Sequence, residues 1–232
     1  MPGSCMQRIA EGLVTRALKT GNVLRVAAAL RRLPPTECDA VRVSSAFTSG
    51  ALDHWEAALL LRCIGHEAGY QTACRILNDP NLAYAGSHVG SVVAELGGQQ
   101  ASSDLLRFLT SAPTRVGRED AAWALVEFAS PGALEAIVEA ALTGKIRGDC
   151  AGRLLLRLAI DVRTVERWLL SSDRVENALG CEIVVAAVPR RGPPSREWTA
   201  ADRERLLALA RDVVAERDVE LRPRTRGRLV NP

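Results

Sequence analysis

Apolar positions recur three and four residues apart along nearly the whole chain, and no stretch alternates strictly between apolar and polar. The first spacing lines one stripe of a helix, whereas a half-buried strand needs alternation. The pattern therefore predicts helices throughout and no strand. Gly, Pro, Asn or Asp interrupts the apolar runs so often that the helices are short, about 10–14 residues each. Start signals stand at Asp53 with Glu56, a capping-box spacing, at Ser130 before Pro131, at Asp161, and at Thr199 with Asp202.

The same pattern repeats. Residues 55–80 read WEAALLLRCIGHEAGYQTACRILNDP, residues 88–113 read HVGSVVAELGGQQASSDLLRFLTSAP, and residues 119–143 read EDAAWALVEFASPGALEAIVEAALT. Each is one helix, a tight turn and a second helix. The first helix of each unit closes on a large apolar residue at Leu33, Ile64, Leu96, Phe128, Leu158 and Val188, with steps of 31, 32, 32, 30 and 30. The central units also share a turn, at Gly65, at Gly97 and Gly98, and at Ala129 before Ser130, and an apolar close at Leu77, Leu109 and Leu142. One such hairpin cannot bury its own apolar face, so neighbours must stack.

The period predicts a capping helix near 7–20 and then pairs at about 22–33 with 37–48, 54–65 with 67–78, 86–97 with 101–110, 118–129 with 131–143, and 148–160 with 162–171. A helix near 175–188 opens a last unit and Pro189 stops it. The stretch Pro189 to Pro194 reads as a stiff linker, and Thr199 opens a closing helix that buries Leu206, Leu209, Ala210 and Val213. The expected fold is an all-α superhelix, an α-solenoid of about five to six helical hairpins. Its repeat array covers 1–188, the linker and closing helix 189–220, and a basic tail without structure 221–232.

The run Glu119–Phe128, EDAAWALVEF, followed by Ser130–Glu139, SPGALEAIVE, resembles HEAT repeats of the short bacterial type also seen in phycobilisome lyases. The resemblance covers roughly 22–188 and is closest over 118–143. It implies a right-handed α-α superhelix whose second helices line the concave face, and a role in recognising another protein.

Composition adds little to the fold but narrows the class. Apolar residues make up 47% and charged residues 25%, the balance of a folded globular chain. No run of 18 or more apolar residues is present and the N-terminus has no charged segment leading into an apolar one, so the expectation is a cytoplasmic protein without a membrane partner. The six cysteines are scattered without a CxxC and read as reduced thiols. Residues 1–188 carry 19 basic and 20 acidic side chains, a net −1, whereas 189–232 carry 11 and 7, a net +4. Arg222, Arg224, Arg226 and Arg228 in the tail are the densest basic feature and a candidate contact for nucleic acid or an acidic protein surface.

Stepping by the period aligns two neighbouring columns on the second helices. One holds Gln71, Ser103, Glu135 and Arg163, the other Arg75, Arg107, Glu139 and Arg167. Paired positions stand four apart and so share a helix face. Charge along these columns runs basic, acidic and basic again, which suits a protein partner better than a uniformly negative phosphate backbone.

No catalytic, cofactor-binding or metal-binding constellation emerges. Cys63 and His66, with His54 and Cys74 nearby, supply one short pair where zinc needs four ligands. Neither Cys63 with His66 nor Ser87 with His88 has a base held by a third group. No GxGxxG, Walker loop or HExxH is present. A rival class is a nucleic-acid-binding or alkylated-base-excising HEAT-like protein, for which Asp120 would be the acid and Trp55, Trp123 and Trp168, at corresponding places in the repeats, the stacking aromatics. Trp123 falls at an inward-facing spacing with Ala122 and Val126, which favours a core position. A chromophore-lyase-type subunit follows from repeat type alone.

Overall fold

The computed structural model describes residues 3–34, 36–83, 88–188, 198–217, 219–221 and 223–230, with side chains from residue 12 onward. Every regular element is helical, and no strand occurs among the described residues. The chain divides into two compact units, Met1–Ser130 and Pro131–Pro232. That boundary falls inside the stretch expected to be one array over 1–188: the helices after Pro131 group with the closing helices.

Unit 1 contains α1 (Gly3–Thr20), α2 (Val23–Leu30), α3 (Glu37–Thr48), α4 (His54–Ile64), a turn of 3-10 helix (Glu67–Gly69) running into α5 (Tyr70–Leu77), α6 (Val89–Ser111) and α7 (Arg115–Glu127). Side-chain oxygens set several starts. The Thr36 and Thr114 hydroxyls accept from the amides of Asp39 and Gly117, and Asp53 and Glu56 form the expected capping box. Leu60, Leu61, Ile76, Leu77, Leu105, Leu109 and Leu125 are fully buried and make the core.

Four of the six expected first helices close on a residue of positive φ, whereas α2 closes on Arg31 in helical backbone and the helix Arg174–Ala187 on Val188 in extended backbone. Backbone φ is positive at Gly65 (66°), Gly98 (53°), Ala129 (48°) and Ala159 (60°), residues 33, 31 and 30 apart. Gly98 interrupts α6, which is therefore two helical segments and corresponds to the expected pair around 97–101. At Ala129 the amide of Ser130 donates to Leu125 O at 2.9 Å and that of Ala129 to Val126 O at 3.2 Å, a Schellman closure. Ser130 thus ends α7 and does not begin the next helix. The anchors themselves differ: Ile64 and Leu96 are buried, Leu33 and Leu158 half-buried, and Phe128 and Val188 exposed. Left-handed backbone strains alanine where glycine is relaxed, so Ala129→Gly is expected to raise stability by about 0.5 kcal/mol, the strain relieved less the entropy that glycine loses on folding. Thermal unfolding checks it, and a lower Tm would contradict it.

Unit 2 contains α8 (Ala133–Leu142), α9 (Gly148–Arg157), α10 (Val162–Leu170), α11 (Arg174–Ala187), α12 (Ala200–Glu216) and α13 (Pro223–Val230). Ile137, Leu154, Leu155, Leu169 and Ile183 are its largest fully buried side chains. Helix α12 opens on the expected Thr199–Asp202 capping box and buries Leu206, Ala210 and Val213, with Leu209 half-buried. Ahead of it, Trp198 Nε1 donates to Ile160 O at 3.1 Å and fixes the approach.

The expectation of an unstructured tail from 221 is corrected over Pro223–Val230. This segment is helical, Leu229 is 1% exposed, and the Thr225 hydroxyl donates to buried Glu182 at 2.7 Å. Packing on α11 and α12 supplies what propensity lacks. The linker 189–197 lies outside the described residues. Within each unit the helices pack mainly on their nearest and next-nearest neighbours along the chain. Glycines permit the closest approaches. At Gly152 on α9 a Cβ would stand 2.9 Å from Glu182 O, and at Gly90 on α6 it would overlap the Asp120 carbonyl of α7.

Candidate functional site

Helix periodicity sorts the second helices into a buried and an open side, and all eight column residues fall on the open side. In unit 1, α5 buries Tyr70, Thr72, Ala73, Cys74, Ile76 and Leu77 while Gln71 and Arg75 are exposed. The later part of α6 buries Ala101, Leu105, Phe108 and Leu109 while Ser103 and Arg107 are exposed.

Both unit 1 arginines are held by neighbours. Arg75 donates to the Thr72 hydroxyl at 3.0 Å, and Thr72 in turn donates to Ser44 on α3 at 2.8 Å. Arg107 pairs with Asp104 at 2.6 Å and lies over the Phe108 ring at 5.0 Å. Asp104 also accepts the Tyr70 hydroxyl, so one carboxylate ties α5 to α6 and aims Arg107. Burial, reinforced by the hydrogen bond to Asp104, pushes the Tyr70 phenol above its ordinary pKa and keeps it a donor. Sequence patterning treats Tyr70 as one more apolar position. Only its place 34 residues before Asp104, close to the repeat step, hints at the contact.

In unit 2, α8 exposes Glu135 and Glu139 above buried Ala133, Ile137 and Ala140, and α10 exposes Arg163 and Arg167 above Val165, Trp168 and Leu169. Arg163 and Arg167 border an open depression of about 620 Å³ lined also by Glu166, Leu170, Ser171 and Glu176. Glu166 is paired with Arg205 at 3.0 Å, and Leu170 is 60% exposed. Each unit thus presents arginines on its second helices, with a carboxylate pair added in unit 2.

The residues weighed for chemistry are occupied in other ways. Cys63 is buried and its sulfur accepts from Arg31 Nε at 3.3 Å. His66 Nδ1 accepts the Ala68 amide at 3.2 Å as a helix cap, and His54 Nε2 sits 3.3 Å from Asp79. Burial pushes the Cys74 thiol up to about 11 and the Cys181 thiol up to about 12, which keeps both protonated at neutral pH. No group of three or more His, Cys, Asp or Glu is placed to hold a metal among the described residues, and Ser87 lies outside them.

Asp120 is 4% exposed and accepts the Gly90 amide at 2.9 Å, so its carboxylate closes the start of α6 and is not displayed to a ligand. The three tryptophans do not occupy corresponding places. Trp55 begins α4 and Trp123 lies late in α7, both half-buried, whereas Trp168 is buried in α10. In the tail, Arg226 donates to Val219 O at 3.0 Å and Arg228 to Val185 O at 3.2 Å, while Arg224 is exposed and Arg222 lies outside the described residues. No family model, curated protein or solved structure matches this chain.

Proposed function

We propose that this chain is a non-catalytic binding scaffold, adaptor or inhibitor built as a HEAT-like α-α superhelix, which holds a protein partner in the cytosol on the second helices of its repeats. The observation that carries this is the exposure of all eight column residues, paired four apart on four successive second helices, above continuous buried faces. Neighbour-on-neighbour packing within each unit and the recurring positive-φ closure at 65, 98, 129 and 159 support the repeat architecture. Arginines that are already oriented lose less side-chain entropy on binding, and mixed charge fixes the register of a protein partner.

A nucleic acid partner draws less support, because Arg226 and Arg228 are engaged with backbone carbonyls. The test is Arg75→Glu combined with Arg107→Glu, measured against a partner identified by co-purification. Both guanidinium groups are exposed, so helicity should be kept while affinity falls by roughly tenfold or more. Unchanged affinity would remove unit 1 from the binding face.

A further inference from the structure

From Gly12 to Thr36 the chain carries Arg16, Lys19, Arg25, Arg31 and Arg32 and no acidic residue. All five side chains are exposed. Three of them flank one turn. The Gly21 amide donates to Ala17 O at 2.9 Å and ends α1, and Asn22 immediately opens α2. This two-residue turn has Arg16 and Lys19 before it, in the last turns of α1, and Arg25 after it, in the first turn of α2. None of the three forms an ion pair among the described residues.

The same tip carries apolar side chains that the core does not use. Val14, Ala17, Val23, Val26, Ala27 and Leu30 already fill the inner side of the hairpin. Leu18 remains 36% exposed and Leu24 64%, the most exposed large apolar side chain among the described residues. A turn that combines exposed cations with exposed leucines matches a surface offering negative charge and hydrocarbon together. A nucleic acid backbone would use the cations and leave the leucines in water. An anionic bilayer uses both, with guanidinium and ammonium groups at the headgroup level and leucines at the acyl boundary.

We infer that the tip of the α1–α2 hairpin docks on an anionic phospholipid surface. No described helix is long and apolar enough to cross a membrane, so the attachment is peripheral. None of the tip's residues is among the eight column residues, so a bilayer and a protein partner would use different side chains.

The test is co-sedimentation of the full chain with vesicles of phosphatidylcholine, with and without about 30% phosphatidylserine, at low and raised salt. The chain should pellet with the anionic vesicles only, and less as salt rises. Lys19→Glu with Arg25→Glu should weaken partitioning by about 20-fold or more, each basic group near such a surface being worth roughly fivefold. Leu24→Ser should weaken it by about fivefold through lost burial of the leucine. The lipid and salt comparison needs no variant, so it stands whatever a substitution does to folding. Arg75→Glu with Arg107→Glu should bind vesicles like the parent, which separates this tip from the protein-binding face. Equal binding to neutral vesicles, or none to anionic ones, overturns the inference. So does charge-dependent binding that Leu24→Ser leaves unchanged and that duplex DNA competes away, because the tip is then a phosphate-backbone site.

Discussion

Asn177→Leu is expected to lower the unfolding free energy of unit 2 by about 4 kcal/mol, because it strips a buried network of its only amide. Asn177 is fully buried in α11. Its Nδ2 donates to Trp168 O at 2.8 Å, Leu169 O at 3.2 Å and Ser171 O at 2.9 Å, carbonyls at the end of α10, of which Trp168 O also accepts the Ser171 amide at 3.2 Å. Its Oδ1 accepts from Arg217 at the end of α12 at 2.9 Å, and Arg217 also donates to Ser171 O. One side chain therefore joins three helices. Leucine keeps the branching of asparagine and leaves no cavity, so the loss comes from the polar groups that lose their partner and from the extra bulk of two methyl groups. Each unpaired buried group costs about 1–3 kcal/mol, and partial relaxation toward water keeps the sum below the additive total. Urea unfolding followed by Trp168 and Trp198, with Trp55 and Trp123 replaced by Phe, reads unit 2 alone. A loss below about 1 kcal/mol would mean that those carbonyls already reach solvent.

The helices and their polarity were legible because both are written in local chemistry. Asp53 with Glu56 and Thr199 with Asp202 mark helix starts through bonds spanning three residues, and the structure forms both boxes. The open sides of α5, α6, α8 and α10 followed from period alone, since a residue four positions from an exposed one shares its face. Local pattern fails where a distant partner decides. Helix α13 offers only Thr225 and Leu229 as buried residues, too few to signal amphipathicity, and it is stabilised by contacts with α11 and α12. Ala159 closes α9 with a positive φ although nothing in the sequence favours alanine there. The exposure of Phe128 and Val188 shows that equal spacing of large apolar residues does not ensure equal burial.

The site was legible only as a set of positions. Exposure of the eight column residues could be expected from spacing, but the bonds that hold two of them could not. Thr72, Asp104 and Tyr70 come from different helices, and their meeting depends on how α3, α5 and α6 pack. The basic tip of the first hairpin was missed for a related reason. Its acid-free composition is visible in the sequence, but a leucine at helical spacing is read as core until the packing leaves it outside.

Asp120 makes stability depend on pH in the direction opposite to most carboxylates. Burial, offset in part by the Gly90 amide, by His88 and by the Val89 amide, pushes its carboxyl from 3.8 up to about 6, with Glu127 adding to the rise. Between those values the folded chain holds a proton that the unfolded chain has released, so the unfolding free energy falls as pH rises through the window. At 1.36 kcal/mol per pH unit the difference amounts to about 3 kcal/mol, fully present below about pH 4 and lost above about pH 6. Asp79, Asp161 and Asp202 have lowered values and contribute with the opposite sign at lower pH. Those contributions are shared by an Asp120→Asn variant and cancel in the comparison. The amide can still accept from Gly90 but cannot ionise. From pH 4 to pH 6.5 the parent should therefore lose about 3 kcal/mol relative to the variant, read from urea midpoints across that range. Parallel curves would show that the Asp120 carboxylate is ionised throughout, held by the amides at the start of α6 strongly enough to outweigh its burial.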